Sequence, residues 1–340
     1  MRILLVKTSS LGDVIHNLPV LSDLHRQFPE ARIDWVVEEN FIDLPRLHPR
    51  VGRVIPVAIR RWRKALFSRE TWREIGLFRR SLAETPYDQV IDTQGLVKSA
   101  LLTRLAPLQP NGHRNGYDRD SIREPLAARS YDRHFAIPRE HHAVERNREL
   151  VAAALGYGAA LPNLPLDYGI TAPPLAESWL PQTGQAPYAV LLTATSRDDK
   201  LWPEAHWVLL GQALQQQGLA CVLPAGSARE RERAARIAAQ ISTQTPQAVA
   251  APVLGLKELA SLFAGARQVI GLDTGLTHLA AALHRPTVAL FTGSNPGLTG
   301  VHAGPLALNL GGIGQVPAVE QVLTALAGLP LASHPLDDIR

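Results

Sequence analysis

Short apolar runs punctuate this chain, and two of them, near opposite ends, share one pattern. Ile3-Leu4-Leu5-Val6 passes through Lys7-Thr8-Ser9-Ser10-Leu11-Gly12-Asp13 into Val14, Leu18, Leu21 and Leu24 at helical spacing. Val269-Ile270-Gly271-Leu272 passes through Asp273-Thr274-Gly275 into Leu276, Leu279, Ala280 and Leu283. Both read as buried strand, abrupt turn, helix. The same reading predicts strands near 2–7, 32–37, 53–57 and 88–92, with helices near 13–27, 72–84, 97–105 and 142–155. Residues 107–141, rich in Pro, Asn, Gly and Arg, lose periodicity and read as loop with short elements. The alternation restarts with strand 188–192, then helix 203–217, strand 219–223, helix 228–240, strand 247–250 and helix 256–264. It ends with strand 268–272, helix 275–284, strand 287–291 and helix 316–327.

Alternating strands and helices predict a parallel sheet with right-handed crossovers in each half. At 340 residues the chain is long enough for two such domains. Pro162, Pro165, Pro173, Pro174, Pro181 and Pro187 forbid a continuous helix between the halves. We therefore expect an α/β protein: a domain over 1–165, a Pro-rich linker over 166–187, a second domain over 188–328 and a tail over 329–340. The two halves share pattern but no sequence repeat. Their strand–turn–helix sites predict a cleft between them.

Composition narrows the class. Cys221 is the only cysteine, so no intramolecular disulfide forms. Four apolar residues before Lys7 are too few for a secretory signal, and no stretch reaches the ~20 apolar residues of a membrane span. The expectation is a soluble cytoplasmic chain. Net charge is +4, unevenly spread: residues 1–170 hold 25 Lys and Arg against 20 Asp and Glu. The excess gathers at Arg60, Arg61, Arg63, Lys64, Arg69, Arg73, Arg79 and Arg80, with Trp62, Phe67 and Trp72 interleaved. This reads as a solvated helix face, or as a surface for acidic sugars and phospholipid headgroups. No RNA-binding or helix-turn-helix pattern accompanies it, so nucleic acid is not expected.

The turns hold the candidate chemistry. A helix start with open N–H groups and a positive dipole end favours an anion. Asp273, Thr274 and Gly275 open such a helix; His278 follows one turn later, as a ligand contact or a structural histidine. Asp13 reads as an N-cap or as a general base, and Gly12 lets the backbone approach a ligand beside it. Thr195, Ser196 and Lys200 follow a strand end, where hydroxyls and an ammonium suit a phosphate. Asp198 and Asp199 could instead hold a divalent cation. Glu230 reads as a ribose acceptor or as a helix-surface residue. Asp273-Thr274-Gly275 is not an aspartic-protease triplet, because it opens a helix and has no second copy. The first strand lacks Gly-x-Gly-x-x-Gly, which disfavours a dehydrogenase.

The runs Lys7–Val14, Trp35–Glu39, Val54–Lys64, Asp92–Ala100, Arg123–Ala127, His142–Arg146, Arg197–Pro203 and Asp273–His278 together resemble the bacterial heptosyltransferases of glycosyltransferase family 9. Asp-Thr-Gly-Leu-Thr-His marks the wider family; Arg-Arg-Trp-Arg-Lys and Thr-Gln-Gly-Leu-Val-Lys-Ser resemble its type I branch. The resemblance implies a GT-B fold and inverting transfer of heptose from ADP-L-glycero-D-manno-heptose to the first Kdo of Kdo2-lipid A, in lipopolysaccharide inner-core synthesis. It implies no obligatory cofactor or metal, and work at the cytoplasmic face of the inner membrane, peripheral on its anionic surface. By matched position, Asp13 becomes the catalytic base and Lys200 stabilises the leaving diphosphate. Thr195, Ser196, Lys200, Glu230, Leu254, Asp273, Thr274, Gly275 and His278 become donor-binding residues. Arg60, Arg61, Arg63, Lys64, Lys98 and Arg123 become acceptor-binding residues. Ser196 stands where the family also uses threonine, and Leu254 where a methionine lies beside the adenine. The alternatives are a sister heptosyltransferase or other nucleotide-sugar transferase with a different acceptor, and a nucleotide-binding protein without turnover.

Overall fold

In the computed structural model, residues 1–174, 186–195, 197–242 and 247–330 are described. Ser196, residues 175–185 of the expected linker, residues 243–246 and the tail beyond 330 lie outside them. The chain divides into two compact units, Met1–Ile170 and Thr171–Arg340.

The first unit is one parallel sheet of six strands: β1 Arg2–Val6, β2 Arg32–Glu38, β3 Val51–Val57, β4 Tyr87–Asp92, β5 Leu108–Tyr117 and β6 Arg133–Phe135. Their spatial order is β3-β2-β1-β4-β5-β6. Strands β1 and β4 are central; β1 is a continuous apolar run after Arg2, buried on both faces, while β4 mixes polar and apolar residues and buries Tyr87, Val90, Ile91 and Asp92. Leu4, Val6, Val36, Val57, Phe78, Leu82 and Val90 pack into the core on one face. Trp62 belongs to that core, with its ring 6.0 Å from Phe78, so it leaves the surface patch expected of it.

Two expectations fail in this unit. The helix expected over 13–27 is two helices, Leu11–Ile15 and Leu18–Gln27. Pro19 has no N–H for Ile15 and restarts the helix in its first turn. The stretch 107–141, read as loop with short elements, contains the short β6 but also the ten-residue strand β5. Strand β5, Leu-Gln-Pro-Asn-Gly-His-Arg-Asn-Gly-Tyr, has no apolar alternation. It is held by side chains instead: Asn115 Nδ2 donates to Gln89 Oε1 at 2.8 Å, and Arg114 Nε donates to the Thr103 carbonyl at 2.9 Å.

The second unit repeats the design with β7 Tyr188–Leu192, β8 Ala220–Leu223, β9 Ala248–Ala250, β10 Gln268–Leu272, β11 Thr287–Phe291 and β12 Ala307–Gly311, in the order β12-β11-β10-β7-β8-β9. Strand β12 was not expected; it is short and half-buried. Trp202, Trp207, Leu210, Ile237, Ile270 and Leu290 anchor the core. The buried Trp202 indole donates to the Pro317 carbonyl at 2.8 Å.

Each unit therefore runs third-second-first-fourth-fifth-sixth across its sheet. Chain direction reverses between first and fourth strands, and ligands of open α/β sheets sit at the carboxyl ends beside that reversal. The turns after β1, β7 and β10 are among those the sequence singles out for chemistry; the turn after β4 enters there only through the resemblance, with Lys98. No helix among the described residues is long and apolar enough to cross a membrane.

Candidate functional sites

At the carboxyl edge of the first sheet, Asp13 is not the N-cap. Ser10 caps the helix Leu11–Ile15, and Asp13 is its third residue. The Asp13 Oδ2 atom accepts from the Ser10 backbone N–H at 2.7 Å and from Ser10 Oγ at 2.9 Å. Both bonds fall on Oδ2, so Oδ1 has no protein donor among the described residues.

The loop that carries Asp13 is held by β4 and its turn. Gln94 Oε1 accepts from the backbone N–H groups of Thr8 and Ser9, both at 3.0 Å. Gln94 is aimed by Asp92, whose Oδ1 accepts from the N–H groups of Gln94 and Gly95 while Oδ2 accepts from the Tyr131 hydroxyl at 2.8 Å. Gly95 turns this corner at φ +68°, where a side chain is strained. Burial holds the Asp92 carboxyl above its ordinary range, against the pull of these donors. Lys7 lies fully inside the edge. Its ammonium donates to the Thr93 carbonyl at 2.8 Å and to Asn147 Oδ1 at 3.3 Å. Burial lowers its pKa, opposed by Asp13 and Asp92.

Lys98 is the expected basic residue that joins this network. Its ammonium donates to Ser9 Oγ at 2.9 Å, and burial lowers its pKa. Arg60, Arg63, Lys64 and Arg123 are exposed. Arg60 stacks over the Phe41 ring, and its backbone N–H donates to the buried Glu38 Oε1 at 2.8 Å. Arg61 instead spends its guanidinium on Glu39 and Glu74. Lys7, Asp92, Gln94 and Asn147 are site residues the expectation missed. Their signal was position alone: each sits near a strand end or helix start, and the bonds from Lys7, Thr8 and Ser9 to Thr93, Gln94 and Asn147 span 85 to 140 residues.

At the carboxyl edge of the second sheet, Lys200 and Asp273 meet at 2.5 Å, and Ser294 Oγ donates to the same Asp273 oxygen at 2.5 Å. Thr274 is the extended N-cap of the helix Gly275–Ala282, which presents its first N–H groups beside this pair. That helix packs unusually close to β10: a Cβ on Gly271 would fall 2.3 Å from Thr277 Oγ1. His278 is buried one turn in. Asp198 pairs with Arg229 at 3.1 Å and Asp199 with Arg197 at 2.5 Å, so both carboxylates already face arginines.

Thr195 and Glu230 line one cleft of about 490 Å³ with Asp198, Ser227 and Arg229. Glu230 does local work there. Its Oε2 accepts from the Gly226 and Ser227 N–H groups, closing a capping box with Ser227. That Ser-x-x-Glu spacing was readable in the sequence. Leu254, half-buried on the loop after β9, does not line this cleft.

Comparison with known proteins agrees with this architecture. The profile of glycosyltransferase family 9 (heptosyltransferase) matches residues 75–321. The lipopolysaccharide heptosyltransferase 1 of Pseudomonas aeruginosa is 50% identical over 89% of this chain and 81% of its own. Its Escherichia coli K12 namesake is 48% identical over 88% of this chain and 90% of its own. The solved structure of E. coli heptosyltransferase WaaC with ADP superposes with a TM-score of 0.85 at 43% identity, over 96% of this chain and 99% of the other. The two Rossmann-like units are thus those of a GT-B-type fold, and this transferase chain belongs to glycosyltransferase family 9, the heptosyltransferases.

Proposed function

We propose that this chain moves L-glycero-D-manno-heptose from ADP-heptose to the first Kdo of Kdo2-lipid A, with inversion at the anomeric carbon. The observation that carries the chemistry is Asp13. One carboxylate oxygen accepts twice from Ser10, and the other has no protein donor among the described residues. A base needs one lone pair held in place and one open to a hydroxyl proton. Asp13 Oδ1 takes the acceptor hydroxyl's proton as that oxygen attacks the anomeric carbon, and ADP leaves from the opposite face.

Lys200 and the start of the helix Gly275–Ala282 carry the charge that grows on the diphosphate. In the free protein Lys200 is neutralised by Asp273. Donor binding therefore replaces or shares an ion pair. No obligatory cofactor is required by this scheme, because the ammonium and the oriented N–H groups supply the positive field. Thr195, Glu230, Thr274 and His278 are assigned to the donor; Ser196 shares that assignment from the sequence. Arg60, Arg63, Lys64, Lys98 and Arg123 are assigned to the acceptor's carboxylate and phosphates. We exclude Arg61, whose charge is already paired.

The same side of the first unit supports peripheral attachment to the cytoplasmic face of an anionic membrane. Phe67 is fully exposed and Leu66 and Trp72 mostly so, among Arg63, Lys64, Arg69 and Arg73. The deciding experiment is transfer from ADP-heptose to Kdo2-lipid A by wild type and Asp13→Ala. We expect heptosylated product from wild type and a loss of about 10²–10⁴-fold in a folded Asp13→Ala protein. Donor binding without product would reassign the acceptor, and wild-type rates in Asp13→Ala would remove the base.

A further inference from the structure

A second cavity opens at the other end of the first sheet, where β1, β2, β3 and β4 begin. It measures about 520 Å³, and its walls include Arg2, Arg32, Arg50, His25, Phe28 and Tyr87. Arg2 and Arg32 are register partners on neighbouring parallel strands, so they leave the same face of the sheet side by side. Like charges so placed repel. The two carboxylates close to them make no ion pair with either guanidinium. Asp34 spends its carboxylate on Arg53 and on the Tyr87 hydroxyl, and Asp88 accepts from the backbone N–H of Arg2. Among the described residues, the guanidinium groups of Arg2, Arg32 and Arg50 make no ion pair. His25 adds a buried Nδ1 atom with no hydrogen-bond partner.

Three guanidinium groups without an ion pair, around a pocket with an apolar wall at Phe28 and Ile33, describe a complementary ligand. We propose that this cavity binds a phosphate monoester, with Arg2, Arg32 and Arg50 on its oxygens and its organic body against Phe28 and Ile33. Guanidinium matches phosphate bidentately, and low-dielectric walls concentrate the field of the three charges. The phosphate can be carried by a soluble molecule or by a lipid headgroup.

The test uses the full chain as wild type, as the double variant Arg32→Gln/Arg50→Gln, and as Lys200→Ala to discount phosphate captured at the other edge. The probes are phenyl phosphate in equilibrium dialysis, and phosphatidylcholine vesicles with and without phosphatidic acid in sedimentation. We expect saturable phenyl phosphate binding by wild type and Lys200→Ala, weakened at least about tenfold in the double variant, with transfer activity retained. Should the double variant unfold, Arg50→Gln alone, on the exposed turn before β3, should show a smaller loss in the same direction. If only phosphatidic acid vesicles separate wild type from the variant, the phosphate is lipid-borne. Equal behaviour of wild type and variant toward both probes, or no binding to either, overturns the proposal.

Discussion

The two carboxyl edges share a strand order and differ in how their polar groups are held. In the first unit Lys7, Asp92, Gln94 and Asn147 are bonded to one another's loops from inside the fold, and Lys7, Asp92 and Asn147 are almost fully buried. In the second unit Asp273 holds Lys200 and Ser294 at a half-buried position, and the neighbouring pairs Arg197–Asp199 and Arg229–Asp198 are exposed. A base must already stand in place when substrate arrives, and buried bonds to backbone fix it there. A diphosphate site must receive charge, and an ion pair at the edge can be exchanged for it. One topology thus serves two demands through the burial of its turns.

The largest effect that probes this contrast is at Lys200. Lys200→Ala should lower turnover by about 10²–10³-fold, the usual cost of one charged transition-state contact. It also leaves Asp273 facing the donor uncompensated, so donor affinity falls as well. Steady-state kinetics with an unchanged circular dichroism spectrum checks this, and undiminished turnover would show that the pair is structural.

Acid should separate the units next. His48 is buried in the first unit, with Nε2 3.1 Å from Ser22 Oγ and Nδ1 accepting from the Arg50 N–H. Burial lowers its pKa from 6.5 to about 4. The unfolded chain therefore takes a proton there first as pH falls. His48 contributes stability that is complete above pH 6.5 and lost between 6.5 and 4, in total about 3 kcal/mol. Urea unfolding at pH 7 and pH 4 should show that extra loss in wild type and not in His48→Gln.

The smallest effect tests the bracing itself. Gln94→Ala strands the N–H groups of Thr8 and Ser9 and should cost about 1–3 kcal/mol, with transfer reduced through a loosened Asp13 loop. Ser294→Ala, which leaves Lys200 on Asp273, should cost under about 1 kcal/mol. Equal costs would erase the difference between the two edges.

Much of this was legible from pattern. Strands β1, β7, β10 and β11 are largely apolar runs buried on both faces, and a run of that kind announces itself. Strand β5 did not, because its polar side chains find partners on β4 and on the helix Val97–Leu105 that no local window contains. Trp62 sat among arginines in sequence, yet its ring turns into the core and its Nε1 donates to Glu74 at 2.7 Å. Asp13 and Glu230 were readable as the ends of Ser-x-x-Asp and Ser-x-x-Glu boxes.

By itself the sequence determined the alternation of strands and helices, the turns that carry chemistry and the membership in glycosyltransferase family 9. These depend on residue period, turn composition and motif spacing, which are written locally along the chain. Only the tertiary structure decided the partners: Lys7 with Thr93 and Asn147, Gln94 with Thr8 and Ser9, Lys200 with Asp273. Those pairs lie 73 to 140 residues apart. They meet because strand order, set by packing of the whole sheet, brings the first and fourth strands of each unit together. The same packing decides which charges water screens and which it does not.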